Sequence, residues 1–278
     1  SITLIVSPVP GAPQAGSTGI RRWAATVGAM AAPDLRVVLG TDNIGFGRAN
    51  NEIARLARGR RILLLNPDTI LSSDVVAGLS AAMDADPTLG AVAPLLDNPD
   101  GTPQDTWAPP QGLLWEFCEG NYLQGFVRAR RWKRMRALGT GTPWIVGFAG
   151  GACLMLDRRV FLELGGFDPD FFLNHEDLEL CDRVRARGLR IAVLPWLHIV
   201  HAEGTTQRRD WSSYARNRFA SRWIYLGKRF RGVALLVARA LWWESLLLKL
   251  CVGSVLLRGA ARTRLRGFKA AALEVLGR

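Results

Sequence analysis

Short apolar runs alternate with stretches of helical composition over the first hundred residues, and this alternation limits the folds open to the chain. Helices are predicted between the runs, at residues 20–32, in the stretch that ends at residue 59, and at residues 74–86. The runs are rich in Val, Ile and Leu and have the length of strands, at residues 2–6, 35–39, 60–65 and 89–96. Strands and helices in this order predict an α/β fold, with a mostly parallel sheet and right-handed connections.

The strand at residues 60–65 ends on Asn66, Pro67 and Asp68. Its continuous apolar run is typical of a parallel strand buried on both faces. Open α/β sheets bind ligands beyond the carboxyl ends of their strands, so Asp68 is placed where a ligand would bind. A later strand, predicted at residues 189–194, leads to His201. A single histidine near a strand end is more often structural than a ligand. His201 is therefore a candidate ligand only if other site residues lie close to it.

Residues 165–188 concentrate acidic side chains in one short segment. A Gly/Pro/Asp turn comes first, Asn174 is the predicted helix N-cap, and Gly188 suits a left-handed C-cap. Glu176 and Asp177 therefore fall in the first helical turn. Acids in that turn can simply complement the helix dipole, so a chemical role requires partners elsewhere in the chain.

Asp68 and His201 are suitable partners, because both fall at strand ends of the same predicted sheet. A carboxylate and an imidazole, completed by substrate oxygens, suit Mg²⁺ or Mn²⁺, and such an ion typically bridges phosphates. Asp177, at a helix N-terminus, is then a separate carboxylate that can act as general base on an incoming hydroxyl group.

The regular pattern is lost over residues 102–142, which hold several Trp and Pro residues and a basic run at residues 128–136. A loop of this length inside a compact domain is usually functional or disordered. Its aromatic and basic side chains can form a lid on the acceptor side of a site, or the basic run can be a solvated helix. A Gly-rich and then apolar strand follows at residues 144–156.

The C-terminal part differs in charge and composition. The formal net charge of the chain is +12, and from Glu203 onward sixteen Lys or Arg residues face four acids. This excess predicts an anionic partner, and the Trp-rich apolar sequence between the charges favours a membrane surface over nucleic acid. Arg239, Glu244 and Lys249 interrupt the apolar stretch, which argues against a membrane span. The alternative is a pair of core-packing helices with a solvated basic face.

Motifs spread over residues 35–207 resemble those of family 2 glycosyltransferases, especially the rhamnosyltransferase-like branch. They follow one another in the family's order and at its familiar spacing. The motifs that carry the resemblance are Asn43-x-Gly45-Phe46 with Asn51, Asn66-Pro67-Asp68, Asp100-Gly101, Gly151-Ala152, Gly165-Gly166-Phe167-Asp168 with Phe171-Phe172, Glu176-Asp177, and His201-x-x-Gly204.

The resemblance implies a GT-A fold over residues 1–207, followed by a helical basic segment at residues 208–278. It also implies an inverting, metal-dependent transfer of a sugar from a nucleoside diphosphate to an acceptor hydroxyl. The implied metal residues are Asp68 and His201, His201 being a further ligand or a diphosphate contact. Asp177 is the implied base, supported by Glu176. The remaining implied site residues are Asn43, Gly45, Asn51, Asn66 and Asp68 for the nucleotide sugar, and Trp144 and Asp168 on the acceptor side.

The expected donor is a dTDP- or UDP-sugar, and the expected acceptor is a lipid-linked or polysaccharide glycan of the cell envelope. The expected location is the cytoplasm, peripherally on the inner face of the membrane, which agrees with four scattered cysteines and no recognisable signal peptide. The N-terminal nucleotide-binding motifs of the family are missing, so this part is truncated or built differently. The alternative function is therefore a catalytically impaired relative that binds glycans or partners.

Overall fold

The computed structural model describes residues 3–6, 36–39, 43–71, 73–120, 123–137, 139, 141–202 and 211–256. Its strands are β1 Thr3–Val6, β2 Arg36–Leu39, β3 Arg61–Leu65, β4 Thr69–Ile70, β5 Leu89–Asp97, β6 Trp107–Ala108, β7 Trp144–Val146, β8 Phe148–Ala149, β9 Cys153–Asp157 and β10 Arg190–His201. Its helices are α1 Phe46–Leu56, α2 Ser73–Ala85, α3 Leu113–Gly120, α4 Gln124–Ala137, α5 Arg158–Glu163, α6 Glu176–Ala186, α7 Trp211–Arg229 and α8 Gly232–Leu256.

The central sheet has the strand order β3-β9-β5-β10-β4, and β7 also pairs with β10. Strand β5 runs parallel to β10, whereas β9 lies antiparallel between β3 and β5. β1 and β2 form a separate parallel pair. Helices flank this sheet, so the predicted α/β class is confirmed.

Strand β5 forms the middle of the core, because all of its residues except Asp97 are buried. Helix α2 covers one face of the sheet through Leu79 and Met83. Helices α5 and α6 cover the other face through Phe161 and Val184. Each residue of β5 is thus enclosed by a helical layer or by neighbouring strands, which explains its unbroken apolar sequence.

Several predicted elements differ in detail from the structure. Of the residues in β3, only Leu64 is fully buried, because within the described residues this strand has β9 as its single neighbour in the sheet. The two runs predicted near residues 189–194 and 197–204 form one strand, β10, with an irregularity between Leu194 and His198.

Helix α6 has the predicted C-terminal glycine but not the predicted N-cap. Gly188 has a φ of 78°, as the left-handed C-cap prediction requires. Asn174 is not the N-cap, because the helix begins at Glu176 and His175 occupies the cap position without a side-chain cap bond. Asn174 and His175 instead have φ values of 71° and 68°, a conformation that non-glycine residues rarely adopt.

Residues 102–142 are not a long loop, since they contain helices α3 and α4. Helix α3 packs against α8, and Leu113 joins the apolar cluster that contains Tyr225 and Leu226 of α7. The buried pair Arg222–Glu116 also joins α7 to α3. The partners that stabilise α3 thus lie more than a hundred residues away.

Helices α7 and α8 pack on the α/β body. The Tyr225 hydroxyl donates to Asp182 at 2.8 Å, and the Ser221 hydroxyl donates to the Leu173 carbonyl at 2.8 Å. In the part of the chain that the structure describes, no helix has the length and apolarity needed to cross a membrane. The predicted domain boundary at residues 207 and 208 lies outside the described residues and stays a prediction.

Candidate active site

Asp68 and His201 meet at the carboxyl edge of the sheet. Asp68 follows β3, and the next residue, Thr69, pairs with His201 at the end of β10. The Ala202 amide donates to the Asp68 carbonyl at 2.9 Å, which fixes the two chain segments side by side. As a result, the Nε2 atom of His201 lies 3.2 Å from Oδ1 of Asp68.

Asn66 belongs to the same cluster. Its side-chain Nδ2 lies 3.4 Å from Nε2 of His201, and its backbone amide donates to the Ala152 carbonyl at 2.9 Å. The structure therefore brings Asn66 and Asp68 together with His201, which follows Asn66 by 135 positions.

This cluster fits a divalent cation. Two ligands about 2.1 Å from one octahedral ion, at right angles to each other, are about 3 Å apart. The 3.2 Å separation between Asp68 and His201 is close to that value. Among the residues that the structure describes, no group of three or more His, Cys, Asp or Glu side chains converges on one point. The described residues would thus supply two ligands and leave the other positions to further oxygens, such as those of phosphate and water, which is a common arrangement for Mg²⁺.

Asp177 is held by two backbone amides. Gly151 donates to its Oδ2 at 2.9 Å, and Leu178 donates to its Oδ1 at 2.8 Å. A Cβ at Gly151 would lie 3.5 Å from the Asp177 Cβ, so the strand start approaches the helix closely. Because Gly151 anchors Asp177 and the adjacent Ala152 anchors Asn66, the acidic helix and the Asp68–His201 pair lie on either side of one turn.

Glu176 and Asp177 are adjacent acids in the first turn of α6, and the charge of Asp177 acts on Glu176. Glu176 is 5% exposed, and its Oε2 has no hydrogen-bond partner within the described residues. Burial, and secondarily the charge of Asp177, raises the pKa of Glu176 to about 8. Burial also raises the pKa of Asp177, but the backbone amides oppose that shift. Those hydrogen bonds favour the ionised form of Asp177, so Glu176 retains the proton near neutral pH.

The segment that carries Asn43 and Gly45 packs on the acidic loop. Asn43 is exposed, and its Oδ1 accepts from the Gly45 amide at 3.2 Å. Gly45 has a φ of 89°, and a Cβ there would lie 2.5 Å from the Phe172 carbonyl oxygen. Only glycine fits this contact, which the bond from the Phe46 amide to the Phe172 carbonyl at 3.1 Å maintains.

The side chain of Asn51 is bound within the protein. Its Nδ2 donates to the Phe167 carbonyl and its Oδ1 accepts from the Phe167 amide, both at 2.7 Å. The amide group therefore joins α1 to the turn before the acidic helix. The structure thus shows a positioning role for Asn51, and its direct contact with the donor stays a prediction.

The two residues predicted on the acceptor side are also engaged within the protein. Trp144 is 2% exposed, packs against Trp107 and Trp132, and donates from its indole nitrogen to the Gly139 carbonyl at 3.0 Å. It is a core residue, so the acceptor-side prediction is wrong for Trp144.

Asp168 accepts a salt bridge from Lys228 of α7 at 2.7 Å. Burial alone would raise the pKa of Asp168, but Lys228 and the Asp170 amide together lower it. The contact attaches the turn to α7, and the acceptor-side role of Asp168 stays a prediction.

Two contributors to the site were missed from the sequence. Gly151 anchors Asp177 through its backbone amide, and Gln104 contacts His201 through its side chain. Gly151 and the turn just before Gln104, at Asp100 and Gly101, both belong to the motifs noted above. The motifs therefore indicated where in the sequence both contributors lie, but not which hydrogen bonds they make.

Comparison with known proteins adds to this geometry. Residues 14–225 match the family described as glycosyltransferase like family 2. The N-acetylglucosaminyl-diphospho-decaprenol L-rhamnosyltransferase of Mycobacterium tuberculosis is 27% identical over 251 residues, with 84% of this chain and 76% of the relative covered. The rhamnosyltransferase WbbL of Escherichia coli is 24% identical over 192 residues, with 66% of this chain and 71% of the relative covered.

Among solved structures, a mannosyltransferase from Pyrobaculum calidifontis, in complex with GDP-Man and Mn²⁺, has a TM-score of 0.53 at 16% identity. The match covers 99% of this chain and 77% of that one. At this identity the likeness concerns the fold alone, and it agrees with the predicted GT-A architecture.

Proposed function

Because this chain belongs to glycosyltransferase like family 2, we propose that it is an inverting, metal-dependent glycosyltransferase of cell-envelope glycan synthesis. The proposed donor is a dTDP- or UDP-linked deoxyhexose such as rhamnose, or a related sugar. The proposed acceptor is a hydroxyl group of a lipid-linked or polysaccharide glycan. The observation that carries the proposal is the turn at Gly151 and Ala152, which anchors the Asp177 carboxylate on one side and Asn66, the neighbour of the Asp68–His201 pair, on the other.

On the donor side, Asp68 and His201 would hold Mg²⁺ or Mn²⁺. The ion, when bound, neutralises the negative charge that develops on the leaving diphosphate. Asn66 borders this position, since its Nδ2 atom lies 3.4 Å from Nε2 of His201. Asn43 and Gly45 remain proposed parts of the donor cleft, because they pack beside the loop that leads to Asp177.

On the acceptor side, Asp177 takes the proton of the attacking hydroxyl group. The hydroxyl oxygen bonds to the anomeric carbon while the bond from that carbon to the diphosphate oxygen breaks. Attack on the face opposite the leaving group inverts the configuration. The amides of Gly151 and Leu178 keep the carboxylate oriented, and the neutral Glu176 beside it adds no second charge at near-neutral pH.

A donor-binding panel tests this proposal. We expect at least one dTDP-, UDP- or GDP-sugar to raise the Tm with Mn²⁺ present, and the increase to disappear with EDTA. The Asp68→Asn variant should lose the metal-dependent part of this increase in Tm, because one of the two proposed protein ligands of the ion is gone. Asp74→Asn, an exposed acid of α2, is the control and should behave as wild type.

A donor hit from this panel should then support sugar transfer to a lipid-linked acceptor. The catalytically impaired alternative predicts the opposite result. If no donor stabilises the protein in a metal-dependent way, that alternative is favoured and the transferase proposal fails.

We also propose that the protein binds the anionic cytoplasmic face of the membrane, where a lipid-linked acceptor would be presented. Supporting residues are Val233, Leu236 and Leu247, which are 76%, 67% and 58% exposed and lie on one face of α8. Leu114 of α3, which packs against α8, is 77% exposed. Exposed basic residues nearby in sequence, such as Arg231, suit anionic lipid headgroups.

Flotation with liposomes of anionic lipid checks this membrane proposal. The double variant Leu114→Glu/Leu236→Glu should float several-fold less than wild type, because it places charge on the apolar face. Leu56→Glu changes a 49% exposed leucine of α1 and is the matched control. Wild-type flotation should weaken at high salt, since headgroup attraction is screened. Equal flotation of all three proteins would contradict the proposed surface.

A further inference from the structure

Gln104 lies buried behind His201, on the side away from Asp68. It is 3% exposed, and its backbone amide donates to the Leu96 carbonyl at 2.7 Å, which fixes it beside the end of β5. Its side-chain Oε1 lies 2.8 Å from Nδ1 of His201. Its Nε2 donates to the His201 carbonyl at 2.7 Å and to Oδ1 of Asn98 at 2.8 Å.

The orientation of the Gln104 amide follows from these partners. The His201 carbonyl can only accept a hydrogen bond. The Thr102 hydroxyl donates to Asp100 at 2.6 Å, so it can only accept from Nδ2 of Asn98 at 2.9 Å. Oδ1 of Asn98 therefore faces Gln104 as an acceptor. Both acceptors require the NH₂ group of Gln104, and its oxygen must face the imidazole.

The ring nitrogen that faces this oxygen must carry a proton. With a proton on Nδ1, the neutral imidazole has its lone pair on Nε2. Two polar groups border Nε2: Nδ2 of Asn66, at 3.4 Å, can donate to its lone pair, whereas Oδ1 of Asp68, at 3.2 Å, would accept a proton from it. A cation between Nε2 and Oδ1 would remove the repulsion of the lone pair by the carboxylate. The opposite tautomer would place two buried acceptors, Nδ1 and the Gln104 oxygen, against each other, which costs free energy.

We propose that Gln104 is a positioning residue that holds His201 as the Nδ1–H tautomer and so aims the Nε2 lone pair at a divalent cation shared with Asp68. A metal-bound histidine usually gives its other N–H to such a partner, and loss of that partner weakens metal binding by about 10–100-fold. The proposal rests on the metal-dependent function above. It adds the chain Asp100, Thr102, Asn98 and Gln104, which links an exposed turn to the metal position.

Nitrogen-15 NMR of histidine-labelled, metal-free protein tests the tautomer directly. The chain has three histidines, so single substitutions of His175 and His198 assign the signals. Spectra at several pH values up to about 9 isolate the neutral ring. Wild-type His201 should carry its proton on Nδ1. In Gln104→Met the acceptor is gone, and the proton should move largely to Nε2, where Asp68 accepts it at 3.2 Å.

Mn²⁺ affinity in the presence of a nucleoside diphosphate, measured by EPR, is the second readout. Gln104→Met should bind Mn²⁺ about 10–100-fold more weakly than wild type. Gln104→Glu restores an acceptor for Nδ1, although it removes the two N–H donors to the His201 and Asn98 oxygens, and should return the proton to Nδ1. Gln111→Met is the control, because Gln111 is also buried but accepts from Arg222, away from His201.

The outcomes separate this inference from the proposed function. A wild-type His201 with its proton on Nε2, or a Gln104→Met variant with an unchanged tautomer and unchanged Mn²⁺ affinity, would overturn the role of Gln104. Failure of wild-type protein to bind Mn²⁺ with any nucleotide would instead count against the proposed function. The tautomer is measured without metal and therefore stands apart from that result.

Discussion

Asp177→Asn is expected to lower sugar transfer by about 10²–10⁴-fold, the usual contribution of a positioned general base. The amide cannot take the proton of the acceptor hydroxyl. Donor binding should persist, because Asp177 is bound to the Gly151 and Leu178 amides and not to the Asp68–His201 pair. The measurement is a transfer assay together with the donor-induced increase in Tm.

This prediction has a structural control. The NH₂ group of an asparagine would face one of the two amides that now donate to the carboxylate, so some loss of stability is expected and is read from the Tm without ligand. Asp74→Asn removes another first-turn acid, at the start of α2, and tests whether such acids only complement the helix dipole. If Asp177→Asn retained transfer as fully as Asp74→Asn does, Asp177 would not be the base.

Local sequence pattern predicted the elements whose stability depends on their own apolar runs. β5 and β10 were found because their residues are apolar wherever the sheet is covered on both faces. Helix α3 was missed because its burial depends on α7 and α8, which follow it by about a hundred residues. Trp144 was misassigned for a related reason, since an aromatic residue next to an irregular region resembles a binding residue until Trp107 and Trp132 are seen to pack against it.

Among the site residues, too, those with a local sequence pattern were predicted and those that depend on long-range contacts were not. Asp68, His201 and the Glu176–Asp177 pair stood out because their chemical types occur at strand ends and a helix start. The bonds that orient them are long-range and leave no local pattern. Asn51 and Phe167 are 116 positions apart, and Gln104 and His201 are 97 positions apart. Position at strand ends and at a helix start therefore indicated the candidate residues. Which polar groups contact them depends on tertiary packing.

Glu176→Gln is expected to abolish a large pH dependence of stability. Glu176 has its pKa raised to about 8 in the folded protein, by burial and by Asp177, against an ordinary value of 4.5. Between pH 4.5 and 8 the unfolded chain has lost this proton while the folded protein keeps it. The stability that Glu176 contributes is therefore fully present below pH 4.5 and is lost as the pH rises through 8, at about 1.4 kcal/mol per pH unit.

Glutamine imitates the protonated acid and cannot lose a proton. The variant and wild type should thus have similar free energies of unfolding near pH 4.5, and the variant should be more stable by a few kcal/mol at pH 9. Urea unfolding at a series of pH values measures the difference, and Glu163→Gln, at an exposed glutamate of α5, is the control.

Transfer by Glu176→Gln should stay within about tenfold of wild type, because the neutral group beside the base is preserved. Parallel stability curves for Glu176→Gln and wild type at all pH values would show that Glu176 does not hold the proton, and the division of roles between the two carboxyl groups would then be wrong.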